Sequence, residues 1–356
     1  MKRLTLYVAS TVLYTSFIMI LALTAIFFLF TYIAQAGDIG KGNFTALAAF
    51  LYVLYEVPAN IYLIMPVCAL LGGLMGLGLL ANNSELIVMR ASGQSITQIA
   101  KGVLLAAFGL AFLTFLTGAY IAPYFQKKAT INKTLATGGN EALVLYDTQT
   151  LWIREGNAFI HVGKNDTNGK LKDITKYTID NNQLTAIDHA DNALFTNKQW
   201  QVNDVSSTQI GKDSSIVYHD KQQYWNNLLP PFLLKIITSN TDYLNLSELI
   251  DYIKVNKEGQ QSANRIWLKF WQTFFQPLSL VILMLIAVPF SLGSMRSSAL
   301  GYKFIIGMLF GFSFYIINQT FGPFSLVYNL SGFWGAAIPS FIFLIILGFL
   351  FWKMRE

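Results

Sequence analysis

Asn82-Asn83-Ser84-Glu85-Leu86-Ile87-Val88-Met89-Arg90-Ala91-Ser92-Gly93 interrupts an otherwise apolar stretch of the chain. The runs on either side are long enough to cross a bilayer, so this polar-ended segment reads as a short helix held outside the membrane between two spans. Asn82 is expected to act as N-cap, with Glu85 three residues on closing a capping box. Gly93 suits the left-handed position just past a helix end. The reading predicts a helix of about three turns, too small for a domain and suited to docking a partner.

Outward from that stretch, the composition is that of a membrane chain. Hydrophobic residues make up 54% of the sequence and charged residues only 12%, the latter about half the soluble norm. Charge-free runs from Leu4 to Gly37, Val57 to Ser84, Gly102 to Gln126 and Phe270 to Met295 each exceed the ~20 residues that cross a bilayer as helix. The run from Phe304 to Trp352 has room for two helices and breaks at Phe321-Gly322-Pro323 and Ser331-Gly332, giving six spans. The first run is too long for a signal-peptide core, and no small-residue cleavage site follows one, so it is expected to remain as a span.

Between the third and fourth spans, residues from Lys127 to Ala263 hold most of the charge and all three histidines. Leu151 to Arg154, a Glu155-Gly156-Asn157 turn and Ala158 to Val162 read as a hairpin. Further hairpins are expected around Asp180-Asn181-Asn182 and Thr196-Asn197-Lys198, followed by a helix near Leu246 to Val255. Regular short strands of this kind suggest a sandwich or jelly roll of roughly 100 residues. The expected division is 1–126 with three spans, 127–263 as the inserted β-domain, and 264–356 with three more.

Counted over short loops, Lys2, Arg3, Arg90, Lys101, Arg296, Lys303, Lys353 and Arg355 fall on the side of the termini, and Lys41 alone on the other. The positive-inside rule then puts both termini in the cytoplasm and the β-domain outside. The insert's 14 basic and 15 acidic residues nearly cancel. The net charge of +6 is therefore a topology effect and does not indicate nucleic-acid binding. Cys68 is alone within the second span, and His161, His189 and His219 lack metal-ligand spacing. The spans carry almost no ionisable groups away from their ends, so no proton relay is visible. No phosphate-binding Gly-x-x-x-x-Gly-Lys-Ser/Thr loop occurs either. If the chain does work, a partner must hydrolyse the ATP.

Ser84 to Gly93, Pro58 and Pro66 around the second span, Phe275-Gln276-Pro277-Leu278-Ser279 in the fourth and Phe321-Gly322-Pro323 after the fifth together resemble the lipopolysaccharide export permeases of the LptF/LptG family. The Gln-Pro-Leu-Ser and Phe-Gly-Pro segments lie closer to the LptG side of that pair, and the likeness runs through the whole chain. The resemblance implies an α-helical membrane protein with six transmembrane helices, arranged three plus three, and an inserted periplasmic β-jellyroll. It implies a non-catalytic subunit that joins LptF, a dimer of the LptB ATPase and LptC in the bacterial inner membrane and passes lipopolysaccharide outwards. The chain itself would bind no cofactor, ATP and magnesium being held by LptB. Ser84, Glu85, Leu86, Met89, Arg90 and Gly93 would form the ATPase-coupling segment.

Lifting a lipid from a bilayer costs about 0.8 kcal/mol per exposed methylene, which favours an apolar conduit throughout. Leu143, Leu145, Trp152, Phe159, Ile160, Ile179 and Trp200 are expected to include residues that line a slot in the jelly roll, the alternative for each being that it fills a closed sandwich core. The family's cavity lies between first and fifth helices of the two permeases, which implicates Phe30, Thr31, Ile33 and Ala34 with Phe310, Phe314, Tyr315, Asn318 and Gln319. Thr31 and Ala34 depart from the basic residues many members carry there. Phosphate capture then falls to Lys41, to Arg265 and Lys269, or to the partner, with interfacial anchoring the favoured role of Arg265 and Lys269. Gly72 to Gly78 and Gly307 to Gly311 match the small-x-x-x-small pattern, read as packing in the second span and as either packing or a moving partner interface in the fifth. Two other functions fit less well. An intramembrane hydrolase needs a catalytic dyad at membrane depth, where no histidine or aspartate lies, and a passive scaffold needs neither six spans nor a docking helix.

Overall fold

Six long helices and one antiparallel sheet realise the two composition regimes. The computed structural model describes residues 2–138, 151–155, 157–165, 170–180, 183–196, 199–211, 214–225, 243–255, 262–292 and 300–353. The helices are α1 (Lys2–Gln35), α2 (Ala46–Asn82), α3 (Glu85–Ala91), α4 (Ile96–Leu116), α5 (Ala122–Ala136), α6 (Leu246–Val255), α7 (Ser262–Leu292), α8 (Leu300–Val327) and α9 (Gly332–Lys353). A π-helical turn, Thr117–Ile121, joins α4 to α5. Among the described residues six helices are long and apolar enough to cross a membrane, and in that setting helices satisfy every backbone group internally.

α2 and α7 form the middle of the bundle. Their most apolar windows are 78% and 72% buried, against 6% for the first span and 17% for the fifth, so α1 and α8 lean on the centre and leave much of their surface open. Glycines let the backbones approach. A Cβ at Gly72 would collide with Ser16 of α1, and one at Gly76 would lie 2.7 Å from Thr15 Oγ1. Thr15 also donates to the Gly72 carbonyl at 2.7 Å. On the other side, a Cβ at Gly307 would collide with Leu74, and one at Gly311 would lie 2.8 Å from Val67 Cγ1. Both glycine pairs therefore serve packing onto or by α2, and those of the fifth span face this chain.

Two boundaries differ from the sequence reading. The third span continues as helix to Ala136, ten residues past Gln126, because charged residues end an apolar run without ending a helix. It stops where Gly138 takes φ +87°. The docking helix is shorter than expected: α3 has seven residues, about two turns. Asn82 belongs to α2, and Ser84 caps α3 at φ 62° without a side-chain bond. The capping box forms instead at Ser95 and Gln98, with bonds of 2.8 and 3.3 Å. Gly93 takes φ +87° as expected.

The expected inserted β-domain is present, with strands β1 (Leu151–Glu155), β2 (Ala158–Asn165), β3 (Lys170–Asp180), β4 (Gln183–Thr196), β5 (Gln199–Ile210) and β6 (Ser215–Trp225). All three hairpins pair as read, closed by Glu155↔Ala158, Asp180↔Gln183 and Thr196↔Gln199. Among the described residues the strands form one sheet in chain order, a meander. A crease lets this one sheet wrap a core. Leu171 and Ile174, Ala190 and Ala193, and Val202 and Val205 are all buried although three residues apart, whereas regular alternation puts same-face residues two apart. The added outward residue falls at Asp173, Asp191 and Asp204, one row across three strands, and Asp173 and Asp204 have φ of 57° and 56°. The pairing register runs through this row unshifted, so the three strands break their alternation together and the sheet creases along it. The core they enclose includes Ile160, Val162, Trp200 and Trp225, with Phe195 edge-on to Trp200 at 5.2 Å.

Candidate functional site

Three places carry the expected residues. The first is α3. Its residues Leu86 and Met89 share a face and are buried at 3% and 7%, anchoring the helix to the bundle. Ile87 and Val88 point the other way, 46% and 66% exposed, with Arg90, Ser84 and Gly93 also open. Glu85 accepts from Asn83 Nδ2 at 3.5 Å and lies beside the Tyr7 hydroxyl of α1. Ile87 and Val88 were missed in the sequence, though the spacing of Leu86 and Met89 on so short a helix implies them.

The second is the far end of α1, near the origin of the insert. Lys133 of α5 donates to Gln35 Oε1 at 2.6 Å and pairs with Asp38 at 2.7 Å, while Lys41 reaches the other Asp38 oxygen at 2.6 Å. The Lys133 ammonium also lies over the rings of Phe44 and Tyr52, at 5.7 and 5.2 Å, and Lys128 lies over Tyr55 at 5.3 Å. Lys41 is thus one of a group of cations; Lys128 and Lys133 were assigned to the insert because the helix was expected to stop at Gln126.

The cavity residues divide by face. Phe30 and Ile33 are 65% and 58% exposed, Ala34 is exposed and Thr31 half-buried. On α8, Gln319 is exposed and Tyr315 half-buried, while Phe310 packs edge-on against Phe290 at 5.2 Å. Phe314 departs from expectation. It is 1% exposed and stacks edge-on against Phe343 at 5.2 Å, because it stands three and seven residues beyond Gly311 and Gly307 and so shares their inward face.

Asn318 turns inward to a polar centre at mid-span. Its amide donates to Gln276 Oε1 at 3.0 Å, and Gln276 Nε2 donates to the carbonyls of Tyr62 and Leu63 at 3.2 and 3.3 Å. Proline has no N–H, so Pro66 leaves the carbonyl four residues back, that of Tyr62, without its helical partner. Gln276 supplies one. The Tyr62 hydroxyl in turn donates to the Gln272 carbonyl at 3.1 Å, and its ring fills the space beside Gly118 in the π turn. The second, third, fourth and fifth spans meet here.

The third place is the β-domain. Ile160 and Trp200 are each 1% exposed, on the wrapped face. Phe159, adjacent to Ile160 on β2, faces the opposite side. Trp152 pairs with His161, and Ile179 lies at the β-bulge beside Thr178; Leu143 and Leu145 fall outside the described residues. The row Ile160, Lys176, Asp188, Ser207 and Tyr218 crosses the wrapped face. Within it Lys176 and Asp188 pair at 3.5 Å, with Lys176 over Trp225 at 5.5 Å, and the row is open at its β6 end, where Tyr218 is 47% exposed. Among the described residues no group of three metal-ligating side chains occurs.

Comparison with known proteins agrees with this architecture. The family model described as lipopolysaccharide export system permease LptF/LptG matches residues 6–353. The lipopolysaccharide export system permease protein LptG of Escherichia coli K12 is 33% identical over 344 residues, covering 96% of this chain and 95% of that protein. The LptG protein of Haemophilus influenzae Rd is 30% identical over 353 residues, covering 98% of each. A bundle of six apolar helices, a two-turn helix after the second and a β-domain inserted after the third are thus found in a chain that belongs to the LptF/LptG family of lipopolysaccharide export permeases.

Proposed function

We propose that this chain is the LptG-type half of a paired permease that takes lipopolysaccharide from the outer leaflet of the inner membrane and passes it on along periplasmic β-jellyrolls. LptF supplies the other half, LptC receives the lipid, and a dimer of LptB, binding ATP and magnesium, supplies the work. Both termini and α3 lie in the cytoplasm and the insert in the periplasm, as the loop charges favour. The observation that carries this reading is the outward pair Ile87 and Val88 on α3, an apolar surface at the end of the bundle away from the insert. Exposed apolar residues outside the bilayer mark a docking surface.

Lipid enters beside Phe30, Ile33 and Ala34 of α1, against the fifth span of LptF. Lys41 and Lys133, two cations sharing one carboxylate, leave a positive surplus where a lipid phosphate would arrive. The test is co-expression with LptF and LptB and reconstitution in proteoliposomes. ATP-dependent release of lipopolysaccharide to a periplasmic acceptor is expected; intact assembly and hydrolysis with no release would remove the transport reading.

A further inference from the structure

The chain enters and leaves the β-domain through two stems. The outgoing stem is α5, the end of a helical rod that runs, π turn included, from Ile96 to Ala136, 41 residues or about 60 Å. One end of the rod starts just past α3. The other is pinned to the turn after α1, where the Asn43 N–H donates to the Ala136 carbonyl at 2.6 Å and Lys133 holds Gln35 and Asp38. The returning stem runs from Tyr243 into α6. Asn245 and Glu248 cap that helix with reciprocal bonds of 2.9 Å, and Leu244, Leu249 and Tyr252 are buried with Ile266 of α7. The stems meet at Thr130 and Tyr243. The Thr130 hydroxyl donates within its own helix to the Gln126 carbonyl at 3.0 Å, which leaves its lone pairs to accept, and the Tyr243 hydroxyl donates to that oxygen at 3.0 Å. The two residues are 113 apart in sequence, and the whole described sheet lies between them.

We propose that Thr130 and Tyr243 are positioning residues whose hydrogen bond cross-ties the two stems, so that the β-domain follows the third span as one piece with it. A domain hung on two independent connections can turn about either, and tying the connections together removes that freedom. Because the same rod begins beside α3, a shift imposed at the ATPase docking surface reaches the β-domain along one rigid element. The tie also lies one turn of helix from Lys133, which sets both stems beside the cations proposed to meet lipid phosphate. The role in lipid passage rests on the transport reading above; the tie itself rests on the geometry of the stems.

The experiment uses the assembled complex in nanodiscs, with nitroxide labels on cysteines replacing Tyr124 of α5 and Lys221 of β6, both exposed. Native Cys68 is buried and does not compete for label. With the tie intact, one narrow distance is expected, the same with and without ATP. Tyr243→Phe and Thr130→Val should each broaden it and lower lipid release several-fold while the ATPase stays bound and active. Thr130→Ser keeps the acceptor and should behave as wild type. Without the labels, Thr130→Cys combined with Tyr243→Cys should lose release in the same way and regain it when a short bifunctional thiol reagent joins the two. A spacer is needed because a tyrosine reaching a threonine holds the backbones too far apart for a direct disulfide. Release that stays lost after linking would mean that the stems must part during the cycle, and would overturn the cross-tie. So would distances in Tyr243→Phe and Thr130→Val as narrow as in wild type. If wild type itself releases no lipid, the transport reading fails, while the distances still decide the tie.

Discussion

Lys133 and Asp38 meet at 2.7 Å, joining the far end of the first span to the helical extension of the third. The pair is 25% and 31% exposed, so solvent screening leaves it little worth of its own. The two cation–π contacts of Lys133 add roughly 0.5–1 kcal/mol each. Lys133→Ala should therefore destabilise the protein by about 1–2 kcal/mol, read in thermal unfolding. If the ammonium also meets lipid phosphate, release should fall several-fold and Lys133→Arg should restore most of it. Full release by the alanine variant would leave Lys133 a structural brace only.

Ile87→Asp or Val88→Asp should strip the ATPase from the purified complex without unfolding the chain, since both side chains are open. Leu86→Ala removes a buried anchor and should cost about 2–4 kcal/mol of stability. Retention of the ATPase by both aspartate variants would move the docking surface away from α3.

Glu85→Gln keeps an acceptor for the Tyr7 hydroxyl and removes the charge. With Glu85 in no capping box, a loss of ATPase association or of coupled release in this variant reports on the partner contact. Tyr7→Phe serves as the control for the internal bond. Wild-type values for Glu85→Gln and for Glu85→Lys would take Glu85 out of coupling.

A photocrosslinker at Tyr218, on the open end of the wrapped face, should capture lipopolysaccharide in an ATP-dependent manner if that face carries lipid, and one at neighbouring Val217 should not. Equal capture at both, or none at either, would assign the passage to the β-domain of LptF.

Gly311→Leu should separate α8 from α2 and lower the yield of folded complex, because a Cβ alone lies 2.8 Å from Val67. Gly109→Ala, with nothing within 4 Å of the added carbon, should be neutral or gain up to ~1 kcal/mol of helix stability. Comparable loss in both would refute the close-packing role.

The spans and hairpins were legible because their signals are local: uninterrupted apolar runs, and turn residues between alternating strands. The inward face of Phe314 was equally legible, being spaced three and seven residues from two glycines, but the family resemblance put Phe314 in the cavity and the glycine spacing alone left packing and a moving interface open. The start of α3 was misread because Asn82 and Ser84 both look like caps, and only the continuation of α2 decides between them. Extension of the third helix to Ala136 was hidden by reading charge as the end of structure. The role of Gln276 could not be read at all, since Pro66 announces a free carbonyl without saying which distant side chain meets it.

The meander of the insert bears on how the chain is made. Each described strand pairs with its neighbour in sequence, so the sheet has short-range contacts throughout and needs no residue from the second half of the membrane bundle to form. The sheet can close before the fourth span, from Ser262 onward, is made. α7, one of the two most buried spans, then has to enter between helices made earlier while tethered to a folded body.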